Sequence, residues 1–306
     1  MRKLHYDPRL APESPWALRL AASVGRRQLR TMKRRGLPAC LHEPLEFLLE
    51  RRIRGGDYGP VDRIEALRAE LARRPGIVGT YSDQATRAAL RREQPRADEQ
   101  DIDLRPLSDL ALVSSVPALW GTFLYLCAKA SGARTVVELG TAAGISGSYL
   151  GSAPSCRRFI TVEGDPDRAR LAEANLRQIV GRFELVTASF DAALDALLPT
   201  LQDGIDFAFI DGNKARGRYL ALVDRLAPSL TPGAIVVLDD IQWSEMEADW
   251  KTLCTRPGLA FAVNAGRFGV CVWGGGAAPP QAFTLYGIGG VDLYKLRRDL
   301  TNRLRR

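Results

Sequence analysis

A glycine-bearing run, Glu138-Leu139-Gly140-Thr141-Ala142-Ala143-Gly144-Ile145-Ser146, is the strongest local signal for a ligand site in the sequence. A ligand lying over the carboxyl end of a parallel strand needs a backbone with no side chain in its way, so glycine belongs where the chain turns and where the next helix starts. Gly140 and Gly144 meet that need. Their G-x-x-x-G spacing is not the G-x-G-x-x-G of dinucleotide binders, and no Lys-Ser/Thr ending of a phosphate loop follows. The glycine pair alone is weak evidence, and a purely structural tight turn is the commoner reading of it. Glu163, about twenty residues further on and at the end of the next strand pattern, shifts the balance toward a ligand. An acidic side chain there can accept both hydroxyl hydrogens of a ribose. Its alternative is a solvated carboxylate at a strand end.

These residues need elements to position them, and the sequence supplies a regular series. Short β-branched runs at 135–139, 159–163, 183–187, 205–210 and 234–238 alternate with helical stretches, clearest over 165–180 and 214–230. That alternation predicts right-handed βαβ crossovers and a Rossmann-like, doubly wound parallel sheet. A helix over 244–255 and strands over 259–263 and 268–273 complete a seven-stranded sheet with one antiparallel strand near its edge. The Gly/Pro-rich segment 274–280 breaks regular structure, and 291–306 reads as a basic terminal helix. Upstream, helical stretches at 16–35, 44–54 and 61–73 are separated by Gly/Pro-rich breaks, with a polar loop over 92–105. The expected division is a helical, basic N-terminal extension over 1–110, a catalytic domain over 111–276 and a tail over 277–306. The extension covers the mouth of the site or forms a contact in a homodimer.

The chain has 306 residues, 46% hydrophobic and 25% charged, values of an ordinary globular protein that exclude a disordered or membrane class. No run approaches the roughly 18 apolar residues of a membrane span, and residues 1–20 are broken by charges and prolines, so no export signal or transmembrane segment is expected. A cytoplasmic setting follows. Cys40, Cys127, Cys156, Cys254 and Cys271 are odd in number and scattered, without a C-x-x-C pair, which fits reduced and mostly buried thiols. The formal net charge is +8, and residues 1–35 carry all of it. A basic segment of this kind can meet phosphates, a membrane surface or an acidic partner, yet a solvated helix face is the commoner outcome, and nucleic acid is not the expected partner.

Over about 114–273 the sequence resembles the class I S-adenosylmethionine-dependent methyltransferases, and more narrowly the metal-dependent catechol O-methyltransferase type. The family's E-L-G-x-x-x-G-x-S turn is matched by Glu138, Leu139, Gly140, Gly144 and Ser146. The resemblance implies a cofactor set of Glu138, Gly140, Thr141, Gly144, Ser146, Glu163, Ser189, Phe190 and Asp211. In it the turn packs on the methionine portion, Ser146 bonds its carboxylate, Glu163 holds the ribose, and Ala188-Ser189-Phe190 flanks the adenine. It also implies a magnesium site at Asp211, Asp239 and Asp240, whose hard oxygens suit Mg²⁺. Asp240 stands where the family has Asn, which leaves metal use open; the alternative is that Asp239 or Asp240 orients the substrate or the sulfonium. Lys214, three residues past Asp211, matches the family's proton-accepting lysine, so Lys214 and Asp211 form the implied catalytic set. The neighbouring acids would raise a lysine's pKa, and only a metal would relieve that conflict. Without one, Lys214 reads as a surface residue at a helix start.

Absences narrow the class. The only histidines, His5 and His42, lie outside the α/β core, which excludes a Ser-His-Asp hydrolase built within it. Asp211-Gly212-Asn213-Lys214 stands where related enzymes carry an Asn/Asp-Pro-Pro-aromatic run that grips an amine, favouring a hydroxyl acceptor. Trp243 could wall a planar substrate or belong to the core. The expected function is therefore O-methylation of a small-molecule hydroxyl, catechol-like or phenolic. The alternatives are another acceptor (carboxylate, amine or RNA) or a NAD-dependent oxidoreductase.

Overall fold

The computed structural model describes residues 15–81, 102–286 and 288. Three helices come first: α1 (Pro15–Arg34), α2 (His42–Glu50) and α3 (Tyr58–Arg73). An antiparallel ribbon of β1 (Ile77–Tyr81) and β2 (Ile102–Pro106) follows. The loop expected over 92–105 is thus corrected at its end, where a strand pairs with β1, because Ile102 to Pro106 finds a partner remote in sequence. Helix α4 (Ala118–Ala130) leads into the alternating region: β3 (Thr135–Leu139), α5 (Ile145–Gly151), β4 (Arg158–Glu163), α6 (Pro166–Ile179), β5 (Glu184–Thr187), α7 (Phe190–Leu197), β6 (Ile205–Ile210), α8 (Arg218–Leu226), β7 (Leu230–Leu238) and α9 (Ser244–Leu253). Strands β8 (Leu259–Ala265), β9 (Phe268–Trp273) and β10 (Gln281–Thr284) close the described chain.

The sheet runs β10-β8-β9-β7-β6-β3-β4-β5. All neighbours pair in parallel except β9, which is antiparallel to β7 and β8. The expected doubly wound sheet with one reversed strand is present. It has eight strands rather than seven, because β10, just past Pro279-Pro280, adds in parallel to β8. The helix expected from 214 starts at Arg218, since Asn213 and Gly217 both take positive φ. The basic helix expected over 291–306 lies outside the described residues.

Strand alternation assigns the two faces. Val136, Phe207, Phe209, Ile235 and Val237 join one apolar cluster together with Leu29, Met32, Leu41, Leu45 and Leu48 of the N-terminal helices. Val137, Leu139, Ala208, Ile210, Val236 and Leu238 face the other, against α7, α8 and α9. Burial on both faces is what a parallel sheet requires, and every residue of β3 is buried. The N-terminal helices therefore share the sheet's core. Their basic residues Arg26, Arg27, Arg30, Arg34 and Arg35 are exposed while Leu29 and Met32 are buried, the solvated helix face anticipated from the sequence. Among the described residues no single helix is long and apolar enough to cross a membrane.

Candidate functional site

The chain runs from β3 outward to β5 and then returns to β6 and β7, so β3 and β6 flank the switch point, the place where doubly wound sheets bind their ligands. Loops leaving β3, β4, β6 and β7 meet there. Gly140 has φ +106, and a Cβ on it would lie 1.8 Å from the Asp211 carbonyl oxygen. The turn after β3 thus touches the turn after β6 backbone to backbone. Gly144, φ +79, caps α5. Among the described residues, three of the four non-glycine residues at positive φ are Ala142, Asn213 and Asp240, one in each of the loops after β3, β6 and β7. Backbone strain of this kind persists only where the surrounding structure holds it, and it gathers at functional sites.

Glu163 lies across the glycine turn. Its Oε2 accepts the Ala142 N–H at 2.8 Å and its Oε1 accepts the Asp165 N–H at 3.0 Å. A carboxylate has about four acceptor positions, so two remain. Burial raises the Glu163 pKa against the pull of those two N–H donors. Glu138 sits deeper, fully buried. Thr161 donates to its Oε2 at 2.6 Å, and Thr141 lies 2.5 Å from the Thr161 oxygen, so Thr141 is the donor of that second bond. Burial lifts the Glu138 pKa to about 8, the Ser146 and Thr161 hydroxyls pull it back, and Asp211 and Glu163 add to the rise. Ser189 caps α7, accepting the Ala192 N–H at 3.3 Å. Phe190 packs on Gly212, where an added Cβ would come within 2.9 Å of its ring.

The second group gathers at the ends of β6 and β7. Carboxylate oxygens of Asp211, Asp239 and Asp240 all lie within 4.8 Å of one another. Lys214 reaches into this cluster, pairing with Asp240 and lying 3.2 Å from Asp211 Oδ1. It is therefore not the surface residue that a metal-free reading of the sequence offered. Burial lowers the Lys214 pKa, but Asp211, Asp239 and Asp240 more than reverse that, and the side chain is held as an ammonium. Its Nζ stands 4.6 Å from the centre of the Trp243 ring. Trp243 is 49% exposed and not part of the core.

Two participants escaped the sequence. Thr161 links Thr141 to Glu138, and only the β-strand alternation at 159–163 hinted that it would share a face with Glu163. Arg267 was wholly missed: from the turn between β8 and β9 its Nε and Nη2 donate to the two oxygens of Asp239, each at 2.6 Å. Asp239 is completely buried, and burial, with Asp211 beside it, raises its pKa to about 6 despite Arg267.

Residues 137–241 match the family model described as a methyltransferase domain. The chain is similar to a catechol O-methyltransferase of Mycobacterium tuberculosis, 38% identical over 133 residues, which is 42% of this chain and 57% of that protein. A catechol O-methyltransferase of Niastella koreensis is 33% identical over 132 residues, 42% of this chain and 58% of that protein. The chain thus spans less than three-fifths of the length of these relatives. A solved O-methyltransferase from Bacillus cereus, in complex with SAH, overlays with a TM-score of 0.48 at 19% identity, over 63% of this chain and 98% of that one.

Proposed function

We propose that this chain, whose domain is of the class I methyltransferase, catechol O-methyltransferase type, transfers a methyl group from S-adenosylmethionine to a hydroxyl of a small planar acceptor. The observation that carries the proposal is Glu163: a buried carboxylate pinned to the backbone of the turn after β3, with two acceptor positions left for a pair of vicinal hydroxyls. When bound, S-adenosylmethionine supplies an electrophilic methyl on a sulfonium. Gly140 and Gly144 let the turn close against the Asp211 carbonyl and against α6, and Phe190 beside Gly212 offers a flat face for a base. The Ser146 hydroxyl is turned toward Glu138, so a direct bond to the methionine carboxylate would need it to leave that partner. The crevice holds Glu163, Asp211, Asp239 and Asp240 against Lys214 and Arg267, an excess of acid that favours a cationic ligand.

Lys214 defines the acceptor end. As an ammonium it cannot take a proton, but it can donate to the acceptor oxygen and stabilise the anionic form that attacks in line. Asp211 and Asp240 hold that ammonium in place. The overall change is R–OH to R–O–CH₃, with the sulfonium becoming a thioether and one proton released. The exposed Trp243 ring beside Lys214 supplies a wall for an aromatic acceptor such as a phenol or catechol. The three carboxylates have the donor chemistry of a Mg²⁺ site. They do not fit one as arranged, because five of their six oxygens are engaged by Lys214, Arg267 and Gln242.

The same proposal keeps 111–276 as the transferase domain and 1–110 as its cap, with β10 the part of the 277–306 tail that adds to the sheet. Five free cysteines, two of them buried, agree with a reducing, cytoplasmic setting. Calorimetric titration with S-adenosylhomocysteine and with NAD tests the cofactor. Binding of S-adenosylhomocysteine is expected; binding of NAD alone overturns the proposal. Labelled methyl transfer to a panel of catechols, phenols and carboxylates then identifies the acceptor class.

A further inference from the structure

The family pattern has an Asn where this chain has Asp240, which adds a carboxylate to the cluster. The structure places a cation, Arg267, beside it. Arg267 meets Asp239 through both oxygens and brings its Nε within 3.7 Å of Asp240 Oδ1. We infer that Arg267, together with Lys214, offsets most of the charge of the Asp211, Asp239 and Asp240 cluster and occupies its oxygens, and that the cluster is closed to a divalent cation.

Arg267 is fixed from both ends. Gly266, φ +85, makes the turn between β8 and β9, and its N–H is held by Asn264 Oδ1 at 2.9 Å. The Arg267 carbonyl accepts the Ile241 N–H at 3.1 Å, tying the turn to the chain just past Asp240. The guanidinium is thus set against β7 by main chain and side chain together. A planar fork on a buried carboxylate is a strong, geometrically specific pair, and removing either partner strands the other charge away from water. Asp239 Oδ1 also accepts the Asp240 N–H at 2.7 Å, which fills that oxygen. A Mg²⁺ ion demands near-ideal octahedral contacts at about 2.1 Å, so it would have to displace the guanidinium and lie against the Lys214 ammonium. Two resident cations repel it, and the carboxylates it needs are already paired.

The consequence for catalysis rests on the methyl-transfer reading: charge at the acceptor oxygen is then met by Lys214, with Arg267 acting as a positioning residue that fixes Asp239 and Asp240. The metal question itself is answerable without any turnover. The full chain is titrated with Mn²⁺, and the free aquo ion is followed by electron paramagnetic resonance. Wild-type protein is expected to leave the free Mn²⁺ signal unchanged into the millimolar range. Arg267→Met is expected to acquire one site per chain, at least tenfold tighter than any wild-type uptake, and Asp239→Asn in that background to abolish it. Stoichiometric uptake by wild type that Asp239→Asn removes overturns the inference, as does a folded Arg267→Met that gains no site. If Arg267→Met fails to fold by circular dichroism, the wild-type titration decides alone. Binding of S-adenosylhomocysteine, measured beside it, keeps the two questions apart: exclusion of Mn²⁺ without nucleoside binding sinks the transferase proposal and leaves this one standing.

Discussion

Glu138 and Glu163 are both carboxyls at strand ends, yet their surroundings set them different tasks. Glu138 is fully buried, with the Thr161 hydroxyl donating to Oε2 and a pKa of about 8, so it carries a proton at neutral pH. The folded state keeps a proton that an unfolded carboxyl, ordinarily near 4.3, has released. Stability from this group is therefore fully present below about pH 4 and is lost as pH rises through about 8. Urea unfolding midpoints of wild type are expected to fall between pH 6 and pH 9, while those of Glu138→Gln stay closer to level; parallel declines would show that Glu138 is not the titrating group. Glu163 instead keeps acceptor capacity in hand. Its replacement by Gln removes charge-assisted bonds worth about 1.5–3 kcal/mol each, so affinity for S-adenosylhomocysteine should fall at least tenfold by calorimetry. Undiminished affinity would remove Glu163 from the ribose site.

At the scale of elements, the turn after β3 and the turn after β6 act as one structure. Gly140 lets them touch, and its left-handed φ admits no side chain beside the Asp211 carbonyl. Gly140→Ala is expected to cost more than about 2 kcal/mol by denaturant unfolding, combining the left-handed backbone penalty with a displaced neighbouring turn. Gly233→Ala is the matching control: φ is +85 there too, but nothing lies within 4 Å of the added methyl. It should cost only the backbone penalty of about 1–2 kcal/mol and leave nucleoside binding intact. Equal effects of the two substitutions would mean that the contact between the turns carries no weight. The three non-glycine residues at positive φ tell the same story, since each sits where a strand delivers a carboxylate or a backbone N–H into the crevice.

Over the whole molecule, the N-terminal helices and the sheet are joined by apolar packing and by one buried cation. Arg68 of α3 donates to the carbonyls of Ala111 at 2.8 Å and Val116 at 2.5 Å, and pairs with Glu65 at 3.0 Å. Glu65 in turn accepts the Tyr149 hydroxyl of α5, the helix that leaves the glycine turn, at 2.7 Å. A contiguous network therefore runs from α3 to α5, with a branch to the segment that exposes Leu112 and Val113. Arg68→Leu strands two buried carbonyls and is expected to cost about 2–5 kcal/mol, with faster amide hydrogen exchange over 107–117. Exchange confined to α3 would show that the network stops short of that segment.

The strands, the reversal near the sheet edge, the glycine turn and the acid ending β4 were legible in the sequence, because each depends on periodicity or on residues within about twenty positions of one another. Pleat alternation puts Val136 and Val137 on opposite faces, but only the packed structure shows which layer each meets. The carboxylate cluster was legible only through family resemblance, since three acids spread over thirty positions have no local signature. Tertiary structure decided the rest. Arg267 meets Asp239 because β9 lies beside β7, Thr161 bridges Thr141 to Glu138 because β4 lies beside β3, and β10 joins β8 across a Gly/Pro break. Strand order sets those distances, and strand order is a property of how the whole chain buries its apolar surface, which no local run of residues encodes.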